Sequence, residues 1–483
     1  MTKPSIAFRA DGNSQIGLGH IHRSLALAGM LAETFKISLL TRNPSERTRE
    51  MVEELNGQLH VLSDAPSLRD EAVNLQQLIS SFDIVVLDGY EFDSDYQHII
   101  RSVGVKLVCI DDLHRDHFVA DVVINHAGNA LPEWYDKEPY TRLCLGIPYL
   151  LVKTPFREAA RKRSVRSRHP KILVSFGGAD INNDTLFVLK RLAEKQAALP
   201  VHVVVGEAYL HHVVLQQFLA TTPLHVMTHV NVSTAEMLSL MMKCPIAICA
   251  PSGVAYEYLC VGGELYLHQT ADNQTDLKHF LLDEGLAFSF EEFQMSNKQQ
   301  IDAAFARQRV VVDGNSDSRL LALFNALVYQ KRSVVRRANE GDLELLFRWA
   351  NDPLTRRLSF KSEPISLENH RTWFSKKNAD PNAYLYIFEF ENIPVGQIRF
   401  DISEVATIAY GLDEHYRGMG LGIEIVRKGI EMFRTDSGFT GSIIAYVKDE
   451  NTSSKRVFEK LGFSAARDDK YDAEKYILNY EGY

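Results

Sequence analysis

Short, almost wholly apolar runs recur through the first third of the chain, at Ile6–Phe8, Ile37–Leu40, His60–Leu62, Ile84–Leu87, Leu107–Ile110 and Val122–Ile124, with helical patterns between them. A strand that is apolar on both sides must be covered on both faces, and parallel strands joined by crossover helices achieve this. The spacing therefore predicts a doubly wound α/β domain over residues 1–165. A second series starts at Lys171-Ile-Leu-Val-Ser-Phe-Gly-Gly-Ala-Asp180 and continues through Val201–Val205, His225–Met227, Ile246–Cys249 and Leu265–Leu267. It predicts a second Rossmann-like domain, residues 166–330, with a ligand cleft between the two. A basic run, Arg157, Arg161, Lys162, Arg163, Arg166 and Arg168 before Pro170, reads as the linker or a solvated helix end.

Ligands of doubly wound sheets bind where strands end and helices begin. The most informative such place is Arg9-Ala-Asp-Gly-Asn-Ser-Gln-Ile-Gly-Leu-Gly-His-Ile-His-Arg23, which joins the first strand to a helix with Ile21, Leu25, Ala28 and Leu31 on one face. Gly17 and Gly19 let backbone N–H groups approach an anion, and His20 places an imidazole at the positive helix end. The dinucleotide fingerprint GxGxxG fails, because its third glycine falls at position 22, a histidine. Further polar residues close strands on the same edge: Asp11, Asp88 with Tyr90, Asp111 with Asp112, and Asn125. In the second domain Gly177-Gly178 and Ser252-Gly253 can offer N–H groups to phosphate, and Glu257 can accept bonds from sugar hydroxyls. Ala271-Asp-Asn273-Gln274 also follows a strand.

A net charge of −9 argues against nucleic acid or an anionic membrane as partner, so any phosphate site is local. The five cysteines, Cys109, Cys144, Cys244, Cys249 and Cys260, form no CxxC pair and read as reduced thiols, not a disulfide framework or zinc site. The histidines are scattered, and His20 with His22 is not a helix-face ligand pair, so no metal is expected. No apolar run at the start suits a signal peptide and none elsewhere suits a membrane span; a cytoplasmic enzyme is the expectation.

The motif Gly-Leu-Gly-His20-Ile-His-Arg23, the run Cys109-Ile-Asp-Asp-Leu113, the turn Phe176-Gly-Gly-Ala-Asp180 and the run Ala271-Asp-Asn-Gln274 together resemble the PseG family. These are UDP-sugar hydrolases of pseudaminic acid synthesis, relatives of the MurG-like enzymes with the GT-B arrangement of two Rossmann-like domains. The resemblance covers residues 1 to about 330 and implies that His20 is the general base activating water at the anomeric carbon, with Asp11, Gly17, Gly19 and Arg23 shaping that side of the substrate site. It implies that Gly178, Ser252 and Gly253 hold phosphate, Glu257 the ribose, and Asn273 and Gln274 the sugar or phosphate. The run Cys249-Ala-Pro-Ser-Gly-Val254 departs from the family's small polar residues there.

Residues 312–332 read as the end of the second domain and a short tether, and from Ser333 the pattern changes. A strand, two helices and three strands lead to Tyr416-Arg-Gly-Met-Gly-Leu-Gly422 opening a helix, followed by a strand and a helix from Asn451 to Leu461. Residues 333–483 are similar to the GNAT acetyltransferases, whose Arg/Gln-x-x-Gly-x-Gly/Ala turn is met by Arg417, Gly420 and Gly422, with Gly418 between. N–H groups at such a helix start can bind the pyrophosphate of coenzyme A, so Arg417, Gly418, Gly420, Gly422 and Asn451 are the expected acetyl-CoA contacts. Many members carry a tyrosine in the last helix as acid for the thiolate; this chain has Phe458, and Tyr410, Glu414 and Tyr446 are candidates by location for proton transfer.

The two resemblances imply neighbouring steps of one route. PseH enzymes are GNAT proteins that acetylate the 4-amino group of a UDP-4-amino-4,6-dideoxy sugar, and PseG hydrolyses the product, UDP-2,4-diacetamido-2,4,6-trideoxy-beta-L-altropyranose. The alternative is a GT-B glycosyltransferase joined to a non-catalytic module that binds coenzyme A.

Overall fold

The computed structural model describes residues 3–12, 19–162, 170–468 and 473–479. It divides into two units, Thr2–Leu323 and Phe324–Tyr483.

The first unit opens with strands β1 (Ser5–Ala10), β2 (Lys36–Thr41), β3 (Gln58–Val61), β4 (Ile84–Asp88), β5 (Lys106–Ile110), β6 (Val122–Asn125) and β7 (Arg142–Leu145). They form one sheet in the order β3-β2-β1-β4-β5-β6-β7, and every neighbouring pair is parallel. The chain winds outward to β3 and returns beside β1, so the switch point, where a doubly wound sheet binds its ligand, lies between β1 and β4. The helix after β1, Gly19–Leu31, buries Ile21, Leu25, Ala28 and Leu31, the face its spacing predicts. Strand β7 was not legible in advance: Arg142-Leu-Cys-Leu145 is an edge strand with one buried residue.

A second all-parallel sheet follows, from β8 (Ile172–Ser175), β9 (Val201–Val205), β10 (Val226–Val230), β11 (Ile246–Cys249), β12 (Glu264–Leu267) and β13 (Phe288–Ser289). Its order is β10-β9-β8-β11-β12-β13, the same winding with its switch point between β8 and β11. Alternate residues go to opposite faces: Leu173 and Ala247 enter one core cluster, Ile172, Val174 and Ile248 the other.

Two expectations need correction. The basic run is not a linker where it is described but, in its last turn, the solvated helix end: Thr154–Lys162 is a helix with Arg161 and Lys162 exposed, and Arg157, only 2% exposed beside Phe156 and Ala160 in the core, departs from that reading. Arg157 donates to the Val152 carbonyl and the Thr154 hydroxyl and, with Arg161, pairs with Asp317. Arg163, Arg166 and Arg168 lie outside the described residues. Nor is there a short tether before residue 333, since Ser316–Arg332 is one helix of 17 residues that runs directly into the next strand.

The second unit carries β14 (Ser333–Arg337), β15 (Ala383–Phe390), β16 (Ile393–Ile402), β17 (Ala406–Leu412), β18 (Ile443–Val447), β19 (Ser464–Asp468) and β20 (Ala473–Leu478). The sheet order is β14-β15-β16-β17-β18-β20-β19. All pairs are antiparallel except β17 and β18, which run parallel and are joined at two rungs only, Ala406 with Ile443 and Thr407 with Ile444. Beyond Thr407 the two strands separate. Helix Leu421–Ser437 lies tight on β16, where a Cβ at Gly429 would come within 2.6 Å of Ile398.

All five cysteines are buried, and none is in a disulfide. Among the described residues no helix is long and apolar enough to cross a membrane.

Candidate functional site

At the first switch point a fully buried carboxylate, Asp88, closes β4. Its oxygens accept bonds from His20 Nδ1 at 2.7 Å, Arg23 Nε at 2.9 and 3.0 Å, Arg23 Nη2 at 2.7 Å and Ser24 Oγ at 2.9 Å. Burial pushes this carboxyl up, but Arg23 above all, with His20, holds it below the usual carboxylate range. His20 Nδ1 also lies 3.0 Å from Arg23 Nη2; because an ionised Asp88 can only accept, the shorter 2.7 Å contact suits a proton on Nδ1, which leaves the Nε2 lone pair to act as a base. The His20 side chain is 13% exposed, and the ring stands edge-on to Tyr90 at 4.6 Å between centroids. Burial and then Asp112 push the Tyr90 hydroxyl up to about 12, so it remains a donor.

The other expected residues of this half divide. Arg23 bridges Asp88 and Asp112, with Nη1 2.7 Å from the latter, so its charge is engaged within the protein. Asp11 lies inside a charged cluster: it accepts from Arg9 Nη2 at 2.8 Å, Thr41 Oγ1 at 3.1 Å and Arg42 N at 2.7 Å, and Arg9 and Arg42 also pair with Glu71. Its oxygens are occupied, which makes it an anchor of the loop after β1 and leaves it little to offer a substrate. Gly19 opens the His20 helix with free space around it. Gly17 lies outside the described residues.

The second switch point presents the glycine turn. Gly177 has φ +86°, and a Cβ on Gly206, after β9, would come within 2.5 Å of the Gly178 backbone, so the two loops require glycine to meet. Ser252 precedes the helix Gly253–Val261, which has no side-chain cap, and open space surrounds Gly253. Asn273 is exposed, whereas Gln274 folds back on its own loop, bonding the Thr270 backbone N–H and hydroxyl. The two edges meet within this unit: His126, after β6, lies 5.5 Å from the Tyr256 ring, and a Cβ on Gly128 would strike Phe280. Burial first, then the Arg23 charge, pushes His126 down to about 4.

Glu257 is half-buried on the helix after β11, and loss of solvent pushes its carboxyl up to about 7 against the pull of Lys153. The native state therefore holds this proton over a range where the unfolded chain, at about 4.5, has released it. Stability contributed this way is present below pH 4.5 and lost as pH rises through about 7. Glu257→Gln is expected to stabilise the protein by ~1–3 kcal/mol at pH 8 and to change nothing at pH 4, read from urea melts at the two pH values.

In the second unit the turn after β17 is built as a cradle. Gly418 and Gly420 have φ +78° and +85°, and Gly420 starts the helix Leu421–Ser437 with no side-chain cap. The leading N–H groups thus face outward. Gly422 lies under Tyr410 and Val457. Arg417 is not free for a ligand: Nη2 is 2.6 Å from Asp352 Oδ2 and Nε donates to the Leu412 carbonyl at 3.1 Å. Asn451 caps its helix through Ser454 N at 3.1 Å. Tyr410 on β17 bonds the Ser454 hydroxyl at 3.1 Å, and burial pushes its phenol up, so it keeps a proton to give. Phe458 is buried at 2% exposure among Tyr410, Phe463 and Tyr476.

Residues 332–464 match the acetyltransferase (GNAT) domain family. The C-terminal unit carries a GNAT domain. The whole chain is similar to an uncharacterized protein of Methanocaldococcus jannaschii, 23% identical over 499 residues, 98% of this chain and 99% of that one. It is also similar to the UDP-2,4-diacetamido-2,4,6-trideoxy-beta-L-altropyranose hydrolase of Campylobacter jejuni, 28% identical over 192 residues, 39% of this chain and 65% of the hydrolase. The solved structure of MurG from Acinetobacter baumannii aligns with 67% of the chain and 99% of its own length at 16% identity and a TM-score of 0.48.

In the GNAT domain the strand separation beyond Thr407 leaves backbone groups of β17 and β18 without each other, beside the cradle. Gly420→Val puts a β-branched residue at φ +85° and crowds the leading N–H groups. A cost of ~1–3 kcal/mol predicts a roughly tenfold or greater rise in KM for acetyl-CoA.

Among the described residues no three His, Cys, Asp or Glu side chains are grouped to hold a metal. Sequence reasoning placed Asp88 at a strand end without giving it a role; its signal is a charge closing an otherwise apolar strand. His126 and Lys153 carry no such signal, because only the fold brings His126 to Tyr256 and Lys153 to Thr234.

Proposed function

We propose that the chain is a sugar-nucleotide enzyme with two activities. The first unit hydrolyses UDP-2,4-diacetamido-2,4,6-trideoxy-beta-L-altropyranose to the free sugar and UDP, and the GNAT domain acetylates the 4-amino group of its UDP-4-amino-4,6-dideoxy precursor with acetyl-CoA. The observation that carries the hydrolase reading is the His20–Asp88 pair at 2.7 Å, an imidazole with its tautomer set and its other nitrogen free. Water held at Nε2 gives up a proton as its oxygen bonds to the anomeric carbon, Asp88 stabilises the imidazolium, and the C–O bond to UDP breaks. Backbone N–H groups near Gly178 and Ser252-Gly253 take up charge on the phosphates, and Glu257 holds the ribose. The similarity to the Campylobacter hydrolase supports the same assignment.

For the acetyl transfer, the 4-amino nitrogen attacks the thioester carbonyl, the C–S bond breaks, and the departing thiolate takes up the proton the amine loses, with Gly418, Gly420 and Gly422 holding the pyrophosphate of acetyl-CoA. Incubating the intact protein with acetyl-CoA and the UDP-4-amino sugar tests both steps together. The expected products are the N-acetylated nucleotide sugar, then UDP and a free reducing sugar in equal amounts. UDP without reducing sugar, in the presence of an acceptor, would instead mark a glycosyltransferase; neither acetylation nor UDP would sink the proposal.

A further inference from the structure

A UDP-sugar carries a diphosphate, and a cleft that holds one gains from positive charge. The cations nearest the ends of β1 and β4 are already engaged: Arg9 with Asp11 and Glu71, Arg23 with Asp88 and Asp112, Arg42 with Asp11. Lys153 differs. It is half-buried, and among the described residues no carboxylate lies within ion-pairing distance of it. Its Nζ donates to the neutral Thr234 hydroxyl at 3.1 Å, which leaves two ammonium protons for another acceptor.

Its place in the fold is between the two sheets. Lys153 immediately precedes the helix Thr154–Lys162, whose Phe156 and Ala160 share a core cluster with Ala255, Tyr256 and Leu259 of the helix that carries Glu257. The helix it leads into touches the His20 helix Gly19–Leu31 on the first-sheet side and the Glu257 helix Gly253–Val261 on the second-sheet side, and its charge pulls down both Glu257 and His22. A cation at the head of that helix stands between the helix that opens with His20 and the one that carries the carboxylate assigned to the ribose.

We propose that Lys153 is the cationic contact of the substrate's diphosphate, a role that rests on the hydrolase reading. As water's oxygen bonds to the anomeric carbon and its proton passes to His20, the C–O bonding pair moves onto the diphosphate, whose negative charge grows by one. An ammonium at that place favours the bound nucleotide and favours the departing group still more, so it contributes to binding and to rate.

The test is calorimetric titration of the intact protein with UDP and, separately, uridine, in the wild type and in Lys153→Met, Lys153→Gln and Lys153→Arg. Glutamine can still donate to Thr234, so it keeps the test open should the methionine variant fail to fold. Expected are a tenfold or greater loss of UDP affinity in the uncharged variants, uridine affinity within twofold of wild type, a lower kcat for UDP release, and recovery of most UDP affinity in Lys153→Arg. Undiminished UDP affinity in Lys153→Gln overturns the proposal, and so does an equal loss for UDP and uridine, which would mark a packing role. A wild-type protein that binds no UDP fails the hydrolase reading itself, whereas one that releases UDP equally well with and without the lysine charge fails only the role of Lys153.

Discussion

His20→Ala is expected to lower UDP release by ~10²–10⁴-fold, the range that a positioned general base supplies, while acetyl transfer by the GNAT domain continues at its wild-type rate. The substitution removes the lone pair that takes water's proton, together with one bond to Asp88 and the edge contact with Tyr90. Asp88 keeps its bonds from Arg23 and Ser24, so no buried charge is stranded and the fold survives. Measuring free UDP with the acetylated nucleotide sugar as substrate, and coenzyme A with its 4-amino precursor, separates the two activities in one preparation. A loss of UDP release under tenfold would remove His20 from the base role. Equal loss of both activities would mean damage beyond the site.

Asp88→Asn has a different signature, with activity and stability falling together. Every group around Asp88 donates: two nitrogens of Arg23, Nδ1 of His20 and the Ser24 hydroxyl. An asparagine keeps one acceptor oxygen and turns an NH₂ toward the rest. It also leaves Arg23, a guanidinium at 14% exposure, with only the partly exposed Asp112 as counter-charge. Breaking a buried pair on one side costs ~3–5 kcal/mol, which a urea midpoint reads directly. UDP release should fall by ~10²-fold or more, because His20 loses both its orientation and the charge that steadies its protonated form. Unchanged stability would mean that the carboxylate is not the hub of this cluster.

How much of this was legible in the sequence depends on the distance over which each feature is set. The apolar runs gave the parallel sheets, because a strand buried on both faces has no other reading, and Gly420 with Gly422 marked the cradle at a helix start. Chemistry that depends on pairing across the fold was not legible. Asp11 and Asp88 both close strands of the first sheet, yet Asp11 is occupied by Arg9, Thr41 and Arg42 while Asp88 faces His20. Neighbours 30 and 68 residues away in sequence decide which is which. Within the basic run Arg157 misled for a similar reason: an arginine in a charged string looks solvated until the Asp317 it shares with Arg161 is in place. At Gln274 a residue expected in the site is turned away by Thr270, four positions upstream.

The burial of all five cysteines has a consequence for the proposed acetyl transfer. Each turnover would release coenzyme A, whose thiol, once oxidised to a disulfide, exchanges with any protein thiolate it can reach. Burial pushes the thiols of Cys109, Cys249 and Cys260 far up, so they stay protonated as well as hidden. The folded chain therefore offers its own product nothing to couple with as the surroundings turn oxidising. By the same token, a single cysteine placed on its surface would be the one position in the native protein open to a thiol-directed label.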